Sequence, residues 1–303
     1  MPLTIRSNRC FPVHCAVTYN AALFVKLPLT YCSGFWSPRG GIRLKRLLVI
    51  TLLLSSSVPA YAEWVPVGGN DQVGMAVAQQ SLTQVLDPKP AAVVPVQQTE
   101  PWWATQHEQT LARIRQGAVD LLFIGDSITQ RWADEGRRIW DAYYGRRRAV
   151  NLGFKGDRTE HVLWRLDYGE IDEIEPKLVV VMIGTNNTGT RHDPPEETAA
   201  GIQAILTTLR TRLPNTKILL LGVFPRSASA DDPLRRLNVA INDRLRNYAD
   251  NQQVLFLDLS PRFLDDWGHL SQDLMPDYLH LSEHGYQVWA DGMEDMIRQL
   301  LGE

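Results

Sequence analysis

Beyond residue 100 the chain alternates short, nearly unbroken apolar runs with longer segments whose apolar positions recur every three or four residues. The runs Asp120 to Ile124, Arg148 to Leu152, Leu178 to Ile183, Lys217 to Gly222 and Val254 to Leu257 read as strands buried on both faces. Trp103 to Arg115, Val162 to Tyr168, Glu196 to Arg212, Pro233 to Tyr248 and Glu283 to Leu300 read as helices. Strand and helix in turn predict an α/β domain, a five-stranded parallel sheet with helices on both sides. In such a sheet the functional groups gather at the carboxyl ends of the strands.

The pattern changes upstream. Residues 63–100 are rich in Gln, Val, Ala and Pro with weak periodicity, and read as a linker or extended arm before a domain at 101–303. Residues 1–62 form an N-terminal extension that ends in a signal peptide. Arg43-Leu44-Lys45-Arg46 is its basic start, Leu47 to Leu54 its apolar stretch, and Ala60-Tyr61-Ala62 its small-residue end. The apolar stretch is far short of the roughly 20 residues that span a bilayer. Residues 1–42 have no clear period and are read as an over-extended start. A periplasmic or secreted protein is therefore expected, with no stable membrane insertion once the signal is cleaved.

Composition sharpens this picture in two places. The 303 residues carry 31 Lys and Arg against 34 Asp and Glu, but the first 62 hold seven basic residues and no acidic one. The remainder of the chain is net acidic by ten charges, which argues against a nucleic-acid partner. Cys10, Cys15 and Cys32 all lie in the extension, so the domain has neither a disulfide framework nor a cysteine nucleophile or metal site.

Four strand-end segments carry chemistry. Gly125-Asp126-Ser127 follows the first strand, where a serine can project its hydroxyl above the sheet with its N–H at a helix start. A plain helix cap would use the same residues. Gly153, after the second strand in Asn151-Leu152-Gly153-Phe154-Lys155-Gly156-Asp157, can offer an N–H to an oxyanion or simply make a tight turn. Asn186, in Gly184-Thr185-Asn186-Asn187 after the third, can add a side-chain amide or serve as a turn residue. Near the end, Asp277 stands three residues before His280, a spacing that lets a carboxylate fix the tautomer of an imidazole facing a serine. Asp266 and His269 share that spacing, and spacing alone does not choose between the pairs. Each segment has a bland reading by itself; together they supply the parts of an acyl-transfer site.

These blocks, in this order, resemble the signature of the SGNH (GDSL-type) hydrolases. The second block, NLGFKGDRTEHVLWRL, with VVVMIGTNN and DYLHLSEHGY, is similar to the platelet-activating factor acetylhydrolase branch of that family. The resemblance spans roughly residues 101–301. It implies a flavodoxin-like three-layer α/β/α fold, no cofactor and no metal. It implies Ser127 as nucleophile, His280 as general base and acid, Asp277 as its orienting partner, and an oxyanion hole from Ser127 N–H, Gly153 N–H and the Asn186 side chain. In this block order Asp277 and His280 displace Asp266 and His269. Ile128, Thr185 and Leu279 flank the catalytic residues and are expected to narrow the acyl pocket to short chains. The expected function is a serine esterase for short-chain acyl esters, acetyl above all, on a small-molecule or glycan substrate. Export favours O-acetylated glycans or lipids, and a homodimer fits the expectation. Two alternatives stand beside it: a lysophospholipase or thioesterase, which would prefer long chains, and a catalytically silent glycan- or lipid-binding module, which would hydrolyse nothing.

Overall fold

A computed structural model of the protein describes residues 11–15, 27–31 and 89–303. The signal-like stretch at 43–62 and most of the Gln/Pro-rich segment lie outside these residues. The chain divides into two units. In the first, β1 (Phe11–Cys15) pairs antiparallel with β2 (Leu27–Tyr31). The second, Leu86–Glu303, holds all the other described elements.

Five parallel strands form its sheet: β3 (Leu121–Gly125), β4 (Ala149–Gly153), β5 (Leu178–Met182), β6 (Lys217–Leu221) and β7 (Val254–Leu257), in the order β4-β3-β5-β6-β7. The apolar runs form strands because both faces of the sheet are covered. Leu122, Ile124, Val179, Val181, Ile218 and Leu220 point to one side, while Leu121, Phe123, Leu178, Val180, Leu219 and Leu221 point to the other. The period-two alternation thus sorts one continuous apolar run into two cores.

On the first face lie α1 (Pro101–Ile114), α4 (Thr159–Arg165), α5 (Pro195–Arg212) and α6 (Pro233–Leu245), which contribute Ile114, Val162, Ile202, Ile205, Ile241 and Leu245. On the second lie α3 (Arg137–Tyr143) and α8 (Glu283–Leu301). Between them α2 (Ser127–Gln130) and α7 (Ser260–Phe263) are single turns. The second core is aromatic: Phe123 meets Trp140 and Tyr144, and Trp132 meets Tyr286 and Trp289 at centroid separations of 4.5–5.0 Å. Such rings bury large areas and lock α3 and α8 on the sheet. The three-layer, parallel arrangement is the one read from the pattern. Among the described residues no helix is long and apolar enough to cross a membrane.

Two boundaries shift for local reasons. The helix expected to start at Val162 starts at Thr159, where the His161 ring accepts the Arg158 N–H and caps the first turn. Residues 89–100, part of the segment read as linker or arm, lie on the domain surface: Ala92 is buried, its carbonyl accepts from Thr159 Oγ1 at 2.8 Å, and Val96 N–H donates to the Glu160 carbonyl.

Chain order within the sheet places the site. From β3 the chain crosses to β4 at the edge, then returns to β5 on the other flank of β3, so the connections after β3 and β5 diverge and leave a crevice at the carboxyl end. Ser127 follows β3 and Asn186 follows β5.

Candidate active site

Ser127 is the first residue of α2, and the strand-to-helix turn before it is held by Asp126. The Asp126 Oδ1 accepts the Ile128 N–H at 2.9 Å and its carbonyl accepts the Gln130 N–H at 2.8 Å. Asp126 is wholly buried, and its Oδ2 has no partner. Burial pushes its carboxyl up to about 7, helped by the nearby Asp157 charge, against the pull of the Ile128 N–H and of Arg226. The folded chain therefore holds a proton that the unfolded chain, with the ordinary value of 3.8, releases earlier. This contribution to stability is complete below the unfolded value and is lost as pH rises through the folded one. Asp126→Asn keeps an oxygen for Ile128 and removes the titration. Its melting temperature relative to wild type should climb between about pH 4 and pH 8, and a difference that stays flat across that range would refute the buried-proton account.

The Ser127 Oγ lies 3.0 Å from His280 Nε2. His280 sits on the loop between α7 and α8, and that loop is closed on itself. Asp277 Oδ1 accepts the N–H groups of Leu279 and His280 at 3.0 and 2.7 Å, while Oδ2 lies 2.7 Å from His280 Nδ1. Tyr278 takes a left-handed φ of 57°, which tightens the turn. Partial burial works to raise the Asp277 carboxyl, but the hydrogen bonds from the His280 ring and amide and from Leu279 outweigh it and hold it below its ordinary range. An ionised carboxylate only accepts, so it fixes the ring proton on Nδ1 and leaves Nε2 to accept from the serine hydroxyl. Such an arrangement can withdraw the serine proton as the oxygen attacks. Ser127 is 8% exposed.

The competing pair separates in space. His269 is exposed and faces Asp265, at 3.3 Å, rather than Asp266. Three other histidines find structural or surface roles. His107 is buried between Glu170 and the Tyr168 carbonyl, His161 caps α4 with its pKa lowered to about 4, foremost by burial, and His284 pairs with Asp273 on the surface.

The expected oxyanion donors need one correction. The Gly153 N–H donates to Asn151 Oδ1 at 2.8 Å, so it is spent. Gly153 is glycine for another reason: a Cβ there would lie 2.1 Å from Gln130 N, inside the backbone of α2. Three residues on, Gly156 has a left-handed φ of 76° and is exposed, and its N–H has no partner among the described residues. The next carbonyl, of Asp157, accepts one Asn186 Nδ2 hydrogen at 2.9 Å, which brings the Asn186 amide beside this turn with its second hydrogen free. The Ser127 N–H, at the first position of α2, is likewise unspent. The signal for Gly156 was present in the sequence as the second glycine of the block; only the hydrogen bonding ranks the two.

The rest of the second block is scaffolding. Asp157, Arg165 and Glu170 are fully buried. Asp157 accepts from Trp103 Nε1 at 2.7 Å, Gln98 Nε2 at 3.0 Å and Arg165 Nε at 2.9 Å, and Arg165 also bonds Glu170 and the Leu152 carbonyl. Removing one partner of such a buried charge set typically costs about 3–5 kcal/mol. Thr159 is bonded to Asn187, which pairs in turn with Asp193, so the second asparagine of Asn186-Asn187 holds the turn while the first faces the crevice.

Of the three flanking residues, Ile128 is not placed as expected. Its side chain is 1% exposed and belongs to the aromatic core, and its carbonyl accepts Tyr286 OH at 2.6 Å. Thr185 is buried, and both its carbonyl and its hydroxyl accept from Arg226 Nη1. Leu279 is half-buried next to His280. Arg226 itself was not singled out from sequence. It is half-buried on the loop after β6, and its charge faces Asp232, Asp126 and Asp277. Arg235 holds that loop by donating to the carbonyls of Arg226, Ser227 and Gly268, and Ser227 N–H donates to the Tyr278 carbonyl at 2.8 Å, so the loop braces the Asp277–His280 turn. A lone arginine in Val223-Phe224-Pro225-Arg226-Ser227 carries no spacing cue that would have revealed it.

Fold and site together define a three-layer α/β/α domain with a serine, a histidine and an aspartate in hydrogen-bonded line at the carboxyl end of its parallel sheet. Residues 123–288 match the family model of the GDSL-like lipases and acylhydrolases, and the chain belongs to that family of acyl-ester hydrolases. It is 37% identical over 202 residues to the platelet-activating factor acetylhydrolase IB subunit alpha2 of Rattus norvegicus, covering 66% of this chain and 86% of that one. The human alpha1 subunit is 36% identical over 202 residues, covering 66% and 85%. Among solved structures, a GDSL-like lipase from Bacteroides thetaiotaomicron shares the fold with a TM-score of 0.52 at 21% identity, over 65% of this chain and 96% of that one. An acetylxylan esterase from Geobacillus stearothermophilus does so with a TM-score of 0.50 at 22% identity, over 62% and 96%.

Proposed function

We propose that this protein is an exported serine esterase that hydrolyses short-chain acyl esters, acetyl esters above all. The observation that carries the reading is the continuous relay from Ser127 Oγ through His280 to Asp277, at 3.0 and 2.7 Å. Ser127 Oγ attacks the acyl carbon while its proton passes to His280 Nε2. Collapse of the tetrahedral intermediate expels the alcohol, which takes that proton. Water then attacks the acyl-enzyme, giving its proton to the same nitrogen, and release of the acid restores Ser127. The developing oxyanion is received by the N–H groups of Ser127 and Gly156 and the free Asn186 Nδ2 hydrogen. By analogy with single-donor losses elsewhere, each donor lowers the barrier by about 2.7–4 kcal/mol. Asp277 holds the imidazole and favours its protonated form in the transition state.

Preference for acetyl is supported by relatives above 35% identity that carry the name acetylhydrolase, and half-buried Leu279, the chain neighbour of His280, is the residue proposed to limit the acyl chain. Periplasmic or secreted location is supported by the signal-like stretch ending at Ala62. A series of para-nitrophenyl esters tests the specificity. Activity is expected to fall sharply beyond butyrate, since each methylene forced against the pocket costs about 1–3 kcal/mol, and Leu279→Ala should flatten the fall. A wild-type optimum at octanoate or longer overturns the short-chain reading in favour of a lysophospholipase.

A further inference from the structure

Arg226 and Ser227, on the loop after β6, touch both halves of the site. Arg226 Nη1 donates to the Thr185 carbonyl at 2.9 Å and to the Thr185 hydroxyl at 3.2 Å. Thr185 directly precedes Asn186, and the turn Asn187–Arg191 that follows comes back to the same guanidinium, because a Cβ on Gly189 would collide with Arg226 Nη1. The Thr188 hydroxyl reaches the Thr185 carbonyl from inside this turn at 3.1 Å, whereas Arg226 holds it from the loop of another strand. The next residue works on the other half. Ser227 N–H donates to the Tyr278 carbonyl at 2.8 Å, in the turn that carries Asp277 and His280.

Holding this loop carries a cost. The guanidinium is half-buried, hydrogen-bonds no carboxylate among the described residues, and leaves its Nε buried without a partner. Ser227 takes a left-handed φ of 65°, uncommon for a residue with a side chain. Native folds leave few buried donors unsatisfied, and strained groups that persist cluster where geometry serves a reaction. Arginine suits the place because its planar fork donates to an oxygen while packing against a bare glycine, where lysine offers only a point charge on a flexible stem.

We infer that Arg226 is a positioning residue for the oxyanion hole: its guanidinium fixes the Thr185–Asn186 peptide so that the free Asn186 Nδ2 hydrogen meets the oxygen that becomes negative when Ser127 attacks. The inference rests on the esterase reading and on Asn186 as an oxyanion donor.

Steady-state kinetics on para-nitrophenyl acetate compare wild type, Arg226→Met, Asn186→Ala and the double variant. Removal of one oxyanion donor costs about 10²–10³ in kcat, and Arg226→Met, which keeps length without the donors, is expected to lower kcat by about 30-fold with KM within about threefold of wild type. The double variant should be within about threefold of Asn186→Ala, because a residue that acts through Asn186 then has nothing left to act on. Arg226→Lys should recover part of the loss, since an ammonium can still donate to the Thr185 carbonyl. Gly189→Ala displaces the guanidinium without removing it, should lower kcat in the same way, and serves if Arg226→Met fails to fold. Losses that multiply in the double variant, a loss carried by KM, or a wild-type kcat in either folded variant would overturn the positioning role. A wild-type rate in Asn186→Ala would overturn the oxyanion assignment and this role with it, while a wild-type protein that hydrolyses no aryl acetate would overturn the esterase reading and with it both.

Discussion

Ser127→Ala is expected to lower kcat on para-nitrophenyl acetate by about a millionfold, the scale seen when a triad serine is removed from a hydrolase. The hydroxyl makes one side-chain contact, to His280, while the turn that presents it is held by Asp126 and by the close packing of Gly153 on α2. The fold should therefore persist, with a melting temperature within a few degrees of wild type, the range of a substitution that leaves no cavity or buried charge. A phosphonate that reacts with activated serines should label Ser127 in the wild type and nothing in the variant. Activity near wild type in Ser127→Ala, or labelling at another serine, would remove Ser127 from the mechanism.

His280→Ala comes next, with an expected loss on the same order, because one nitrogen handles both proton transfers and its removal leaves the serine oxygen without a base. The paired control is His269→Ala, expected to turn over within about twofold of wild type, as surface changes away from a site do. Asp277→Asn should fall between them, about 10⁴-fold down, as expected when the histidine is held in the wrong tautomer. Its effect should lie in kcat, with deacylation slowed alongside acylation. If His269→Ala were the crippling change, the base would belong to the Asp265 turn and the relay at Ser127 would be a structural coincidence.

Much of the domain could be read in one dimension because buried parallel strands leave a strong local trace. The five apolar runs fell within a residue or so of the observed strands, since a strand covered on both faces tolerates few polar positions. The long helices α1, α5, α6 and α8 carried their own periodicity and, in α6 and α8, capping residues Asp232 and Ser282 whose side chains accept from the first turn. The helix α3 left no such trace. Arg137–Tyr143 has seven residues and no side-chain cap, and it is helical because Ile139 and Trp140 pack into the aromatic core. The chemistry followed the same division. The order of the four blocks pointed to Ser127, Asn186, Asp277 and His280, each placed at the end of a strand or ahead of the last helix. Two glycines three positions apart could not be ranked, because the deciding facts were a hydrogen bond to Asn151 and a positive φ.

The sequence by itself determined the layers, the strands and the candidate reactive side chains, because each is encoded by residues close together in the chain. Spacing alone did not choose between Asp266/His269 and Asp277/His280; block order favoured the second pair, and the tertiary structure brings His280 Nε2 to 3.0 Å from Ser127 Oγ across 153 residues of chain. It also decided that Gly156 rather than Gly153 has an N–H to give, that Ile128 packs in the core instead of lining the pocket, and that half-buried Arg226 lies near Asp126 and Asp277. Each of these depends on which long-range neighbour satisfies or occupies a group, and no local pattern records the neighbour.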